Sequence, residues 1–446
     1  MTAALLWALA CTDAEALKRA PLPDLEAGPP LGLPDITVRG ILFIEVDTLR
    51  RDRLAQYGYP TDLLPSFAER SWHQINGHSA TSAWTLPSVS SLFSSLEPAR
   101  HGTLAHLEPG IPTHPFASPS WPAELGASGW TTGLFTGNRW FSENSGLSPI
   151  FQTVIRKPKE ETGQANLAAL LPDLIAWLDG IPEEQNFYAH LQPMDMHDPY
   201  NPPPADITDV SGGEPLPFHV GAEGLARRHF ESYWHEATTD DERHEIERGA
   251  ALLYDAQIPG LDRALAELMA ELDSRGLLDE ILVVFSADHG EMLGDNGIGD
   301  FGHGIRWHQA EAQLPLLLLG PGIEPGVSDC LSMNIDIWPT IVSMIGVPPL
   351  SDIDGIDLRE ACRASVRGSV WDSDVILDVH GVASTDSALN RTCRSGRDRG
   401  TPLGDDADAT ERTRAEKLVD GEQLVSLLGQ AYADIVTEKP QAECGD

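Results

Sequence analysis

Five short apolar runs limit how this chain can fold: residues 41–46 (ILFIEV), 132–135 (TGLF), 187–191 (FYAHL), 281–285 (ILVVF) and 314–319 (LPLLLL). Each is too short for a buried helix and is mostly flanked by turn or polar residues, the pattern of inner strands in a sheet covered on both faces. Helical spacing separates them. Leu261, Leu265, Leu268 and Leu272 recur at steps of four, three and four, with Gly276 placed to stop the helix. Residues 166–178 and 336–345 carry two further helices. Strands alternating with helices over some 300 residues predict a doubly wound α/β sheet.

Length fits this reading. The 446 residues suffice for one large α/β domain with an appendage. A hydrophobic share of 41% is too high for a disordered chain. No apolar run approaches the roughly 20 residues of a membrane-spanning helix. Against 30 Lys and Arg stand 68 Asp and Glu, a net charge of −38, which repels a polyphosphate, so nucleic acid is excluded as a partner. Any anion bound here must be held by a local device such as a metal, a helix N-terminus or a few Arg and His.

The ends of the chain differ from its middle. Residues 1–11 (MTAALLWALAC) resemble the end of a bacterial lipoprotein signal, with Ala10-Cys11 at the cleavage point and Cys11 as the lipid anchor. That reading implies a cell-envelope location; the alternative is a frayed helix with a chance Cys. Residues 12–36, rich in Pro and acidic side chains, read as a tether, so 1–36 form a leader and linker. Residues 201–245 are polar, Pro- and Gly-rich and weakly periodic, and read as a lid or rim loop. From 351 to 446 the pattern weakens to one strand near DVILDV, a polar stretch at 384–410 and a final amphipathic helix at 411–435. Five cysteines are an odd count. With Cys11 lipidated, Cys330, Cys362, Cys393 and Cys444 allow three pairings and would staple the C-terminal region of an exported protein.

Three segments place polar residues where strands end. Asp47 follows ILFIEV, and a carboxylate at the end of an inner strand is where α/β proteins place ligands and catalysts. Asp288 and His289 follow ILVVF and supply the oxygen and nitrogen donors that suit a divalent metal, with Gly290 allowing close backbone approach. Thr85 precedes Pro87 at the start of a helix, where an oxyanion can be held and a hydroxyl activated. Each has a plainer reading when taken singly: a turn Asp, a structural Asp-His pair, an N-capping Thr.

Taken in order, the segments resemble a family. Asp47 after a strand, Thr85-x-Pro87 opening a helix, His101-Gly102, Asp288-His289-Gly290-Glu291 and Gly302-His303-Gly304 are similar to the sulfatase branch of the alkaline phosphatase superfamily. The stretches VDTLRRDRLAQYGYP, HLQPMDMHDPYNPPP and YDAQIPGLDRALAEL extend the likeness, as do LPLLLLGPGI and DIWPTIVSMIGVPP. It covers roughly residues 40–350, within residues 37–350 taken as the catalytic domain. The resemblance implies an alkaline-phosphatase-like, mostly parallel sheet flanked by helices, with a small C-terminal subdomain. It also implies one divalent metal (calcium, manganese or zinc) held by Asp47, Asp288, His289 and the Thr85 oxygen. Thr85 takes the nucleophile position. His197 and His303 fall against the substrate or leaving group, and Arg50 could pair with a non-bridging oxygen.

The sequence also departs from that family. Sulfatases oxidise a Cys or Ser to formylglycine within Cys/Ser-x-Pro-x-Arg, whereas here Thr85 and Val89 stand at the first and last positions. Thr cannot give that aldehyde because its β-carbon carries a methyl. Residues 137–140 (GNRW) replace the usual Gly-Lys-Trp-His, and Thr48 replaces the second Asp of an Asp-Asp pair. Thr in T-x-P is instead similar to the nucleophile of nucleotide pyrophosphatase/phosphodiesterases and of phosphoglycerol and phosphoethanolamine transferases. The expectation is a metal-dependent hydrolase of a phosphate or sulfate ester on a small molecule, glycan or lipid. The alternatives are an envelope phosphoryl-group transferase and a non-catalytic sulfatase-like binding protein.

Overall fold

A computed structural model describes residues 27–395, apart from 104–105, 109–110, 113–114, 158–165, 296–298, 305–307, 364–365, 373–374 and 385–386. Its centre is an eight-stranded sheet built from β1 (Gly40–Val46), β2 (His73–Ser79), β3 (Thr131–Thr136), β4 (Thr153–Arg156), β5 (Phe187–Gln192), β6 (Ile281–Ala287), β7 (Leu316–Leu319) and β8 (Gly326–Met333). The order across the sheet is β8-β2-β7-β6-β1-β5-β3-β4, and β7 alone runs against its neighbours. All five apolar runs fall in this sheet. The three strands the sequence left unmarked are β2, β4 and β8. β4 and β8 are the sheet edges, and β2 (HQINGHS) is largely polar, so none of the three carries a continuous apolar run.

Among the described residues, seven helices of eight or more residues frame the sheet and its rim: α1 (Thr85–Ser94), α2 (Leu167–Asp179), α3 (Pro204–Ser211), α4 (Arg227–Glu236), α5 (Asp240–Asp255), α6 (Ile258–Ser274) and α7 (Asn334–Ile345). Alternation along β1 sorts them into two layers. Leu42, Ile44 and Val46 pack with Leu171 and Leu174 of α2 and Leu265 and Leu268 of α6. Ile41 and Phe43 point the other way, onto Val89 and Phe93 of α1 and Trp338 and Ile341 of α7. The leucine stripe of α6 is fully buried, and each such side chain stabilises the fold by about 1.5–3 kcal/mol. Asn166 caps α2 by accepting from the Ala169 amide, and Gly276 adopts φ 68° beyond the end of α6, the backbone state that stops a helix at glycine.

Several expectations are corrected. Residues 201–245 contain α3, α4 and the start of α5, whose Thr239 cap and Glu242 form a capping box, so this polar stretch is largely helical. Its periodicity was masked because α4 and α5 each bury only part of one face. Residues 27–36 are packed rather than free: Leu31, Leu33 and Ile36 are buried, and the Leu31 and Ile36 amides donate to Leu358 and Met344 carbonyls. The C-terminal region holds three antiparallel strands, β9 (Val366–Asp372), β10 (Val375–Ser384) and β11 (Ser387–Ser395), where one was expected. Cys330 pairs with Cys362, tying β8 to the segment that leads into this sheet. Cys11, Cys444 and the helix expected at 411–435 lie outside the described residues.

Candidate functional site

Strand register builds the site. β1 and β6 run parallel with Val46 opposite Ala287, so the residues that follow, Asp47 and Asp288, emerge side by side at the C-terminal edge. Asp47, Asp288 and His289 are fully buried, and each offers one ligand atom within 4.8 Å of the others. His289 Nε2 lies 3.4 Å from Asp288 Oδ2 and 3.9 Å from Asp47 Oδ1. Gly290 is required behind them, because a Cβ there would stand 1.9 Å from the Ala310 carbonyl oxygen.

Thr48 pins this edge. Its φ of 59° is an uncommon state for a β-branched residue and is held by neighbours. The Thr48 amide donates to Asp288 Oδ1 at 3.2 Å, and Tyr254 donates its hydroxyl to the Thr48 carbonyl at 2.7 Å. The turn at the end of β1 is therefore fixed to the aspartate at the end of β6.

The hydroxyl arrives on a buried helix. α1 begins at Thr85, has Pro87 in its first turn and buries all ten residues. Ser88 donates to the Asp288 carbonyl at 2.6 Å, which docks the helix N-terminus against the cluster. Thr85 Oγ1 lies 3.3 Å from His289 Nε2. The three ligand candidates and the hydroxyl thus lie together in one buried cluster.

Two amides that sequence reasoning passed over complete the cluster. Asn138 Nδ2 donates to Asp47 Oδ2 at 2.6 Å and lies 3.5 Å from Thr85 Oγ1. Gln192 Nε2 reaches Asp47 Oδ2 at 3.2 Å and Asp288 Oδ2 at 3.4 Å. The signal was present, since Gln192 ends β5 and Asn138 stands two residues past β3, both at the same edge as the aspartates. After these contacts Asp47 Oδ1 remains buried with no hydrogen-bond partner among the described residues. A buried carboxylate oxygen in that state costs free energy unless a cation meets it, so the donor set fits a bound divalent ion.

His197 and His303 flank this cluster. The His303 ring centroid is 4.5 Å from that of His289 and 5.1 Å from that of His197. His303 Nδ1 lies 3.1 Å from Glu291 Oε1, and His197 Nδ1 lies 2.6 Å from the Asp198 carbonyl oxygen. The Arg227 amide at the start of α4 donates to Asp198 Oδ2, and Phe230 of α4 packs on Phe301 beside His303, so the 201–245 segment reaches the histidine side.

Arg50 goes elsewhere. Its guanidinium is buried between Asp52 and Asp295, both paired to it at 2.6–2.9 Å, and it also donates to the Glu291 carbonyl. The expected contact with a substrate oxygen is corrected to a structural ion pair, because two carboxylates already occupy the guanidinium fork.

Crowding shapes the protonation of the cluster. Burial, then Asp47 and Glu45, push the Asp288 carboxyl far above the usual carboxylate range. Burial first, then competition with the His303 ring for a proton, drops His289 to about 3, keeping it a neutral nitrogen donor. His303 falls to about 3 for the same reason, with His197 as the charged neighbour. In His197 burial is outweighed by Asp47, Asp198 and Glu291, and its affinity for a proton rises.

Comparison with known proteins agrees with this architecture. Residues 39–347, most of the chain, match the family model for Sulfatase, and the chain belongs to the sulfatase family. A choline-sulfatase of Rhizobium meliloti is 34% identical over 149 residues, which is 33% of this chain and 26% of that protein. The match therefore spans about a quarter of that relative's length. The phosphonate monoester hydrolase of Agrobacterium radiobacter has a similar fold, with TM-score 0.60, 18% identity, 87% of this chain covered and 95% of that one. So does an enzyme solved with its substrate D-glucosamine-2-N,6-O-disulfate, with TM-score 0.60, 16% identity and coverage of 88% and 98%. Among the described residues, no helix is long and apolar enough to cross a membrane.

Proposed function

We propose that this chain is a metal-dependent hydrolase that cleaves a phosphate ester, ahead of a sulfate ester, with Thr85 as nucleophile. The observation that carries the reading is the convergence of the Thr85 hydroxyl with Asp47, Asp288 and His289 in one buried cluster. Asp47, Asp288, His289 and the Thr85 oxygen would hold the ion. A divalent cation there would supply positive charge for the ester oxygens and lower the pKa of the hydroxyl. Thr85 supports phosphoryl over sulfuryl chemistry because it cannot become the aldehyde that sulfatases use.

The chain's own groups then perform a double displacement. Thr85 Oγ1 forms a bond to phosphorus as the bond to the leaving alcohol breaks, and the hydroxyl proton passes to solvent. His197, whose affinity for a proton the surrounding carboxylates raise, gives its proton to the leaving oxygen. Water then attacks the phospho-threonine and gives a proton to His197. Thr85 leaves and is reprotonated, so the net reaction is ester plus water to alcohol plus phosphate. Asn138 Nδ2, between Asp47 and Thr85, is placed to steady the nucleophile. The segment 201–245 covers the histidine side and acts as the lid within a catalytic domain of residues 37–350. A location outside the reducing cytoplasm is supported by the Cys330–Cys362 bridge, with Cys11 as anchor. Substrates are small-molecule, glycan or lipid esters.

The test is turnover of p-nitrophenyl phosphate, its diester and p-nitrophenyl sulfate with manganese, zinc or calcium added, for wild type and T85A. The expected outcome is phosphate-ester turnover that T85A lowers by about 10³-fold or more. No turnover of any ester with any ion, or turnover unaffected by T85A, would overturn the reading.

A further inference from the structure

Gln192 stands at the end of β5, whose register with β1 places Leu191 opposite Ile44, and its side chain reaches forward to Asp47 and Asp288 at the C-terminal edge of the sheet. It is fully buried. Thr136, on the adjacent strand β3, donates its hydroxyl to Gln192 Oε1 at 3.1 Å. That contact fixes which end of the carboxamide faces the carboxylates: the NH₂ group, which reaches Oδ2 of both Asp47 and Asp288. The same Thr136 oxygen accepts from the Asn138 backbone N–H at 2.9 Å, so one hydroxyl holds both the Gln192 carboxamide and the main chain that carries Asn138.

The two oxygens of Asp47 consequently have different surroundings. Oδ2 takes Asn138 and Gln192, whereas Oδ1 takes no hydrogen bond among the described residues. Two carboxylates this close repel one another, and without a shared donor each would rotate toward whatever polar group it could find. A neutral amide joins them without adding charge of its own, so it takes nothing from the −2 that the pair would present once both carboxyls are ionised around a divalent ion. We propose that Gln192 is a positioning residue, oriented by Thr136, that clamps Asp47 and Asp288 through Oδ2 and leaves Asp47 Oδ1 turned toward the cation. The proposal rests on the metal-dependent reading above and adds to it the group that sets the ligand geometry.

The test measures manganese binding to the purified full chain by isothermal titration, together with the EPR spectrum of the bound ion. Wild type, Q192L, Q192N and T136V are compared, with thermal melts of the metal-free proteins as a folding control. Leu keeps the approximate size of Gln but has no amide, so Q192L should bind manganese about 10–100-fold more weakly. The EPR line shape should change in the same variant. T136V keeps Gln192 but frees its orientation and should give an intermediate loss. Q192N, with an amide on a shorter stem, should recover less than wild type and more than Q192L. Wild-type affinity and line shape in both Q192L and T136V would overturn the clamp while leaving the catalytic reading intact. Wild type that binds neither manganese nor zinc nor calcium would overturn both. If Q192L does not fold, T136V and Q192N decide the matter: unchanged binding and spectrum in those two sinks the proposal.

Discussion

Thr85 Oγ1 lies 3.3 Å from Nε2 of His289, although 204 residues of chain separate them. The contact joins the first turn of α1 to the loop after β6, and it exists because both elements end at the same edge of the sheet. T85S should keep this contact through the same oxygen and retain part of the activity lost in T85A, as read by initial rates on p-nitrophenyl phosphate. Equal loss in both variants would assign the essential role to the threonine methyl rather than the hydroxyl.

Chelation should remove both activity and stability. An ion that binds only the folded chain stabilises it by about 2.7 kcal/mol when present at 100 times its Kd. Treatment with EDTA should therefore abolish ester cleavage and lower the melting temperature, and D288N should melt at one temperature with or without manganese. A wild-type melting temperature indifferent to EDTA and to every ion added would contradict a cation at Asp47, Asp288 and His289.

Arg50 should matter for folding more than for substrate. Its guanidinium is buried between two carboxylates, so R50A leaves Asp295 with only the more distant Arg53 and the Leu293 amide and should cost about 3 kcal/mol in urea unfolding. The KM of the variant that remains folded should stay close to that of wild type. A large KM rise with unchanged stability would return Arg50 to the substrate.

The same ion pair has a defined acid limit. Burial would raise the Asp295 carboxyl, but Arg50 outweighs it and holds the group at about 2, below its ordinary value near 4. A depressed carboxyl contributes stability that is complete above the unfolded value and is lost as pH falls through the folded one. The pH-dependent part of the stability difference between wild type and D295N should therefore hold from pH 7 to about 4 and fade between about 4 and about 2. Urea titrations at stepped pH measure it, and a difference that faded already between pH 7 and 5 would be inconsistent with this pairing.

The Cys330–Cys362 bridge closes a sequence separation of 32 residues, for which chain-entropy reasoning gives about 3–4 kcal/mol. Reduction, or C330A with C362A, should lower the urea midpoint accordingly and leave Asp47, Asp288 and His289 able to bind manganese. Loss of manganese binding on reduction would mean that the staple supports the site as well as the periphery.

Sequence alone determined the inner strands and the main helices, because burial on both faces leaves continuous apolar runs and because helical spacing repeats along α6. It also marked Asp47, Thr85, Asp288 and His289, since charged and hydroxylic residues directly after such runs have few reasons to be there. It missed the polar strand β2 and the edge strands β4 and β8, which are held by pairing more than by apolar content. It also read the helical 201–245 stretch as a loop. Only the tertiary structure decided which polar groups meet: Arg50 is claimed by Asp52 and Asp295, while Asn138 and Gln192 are brought onto the aspartates. The physical reason is that apolar patterning is local and periodic, whereas a hydrogen bond between the ends of separate strands depends on register and twist, which no single stretch of sequence encodes.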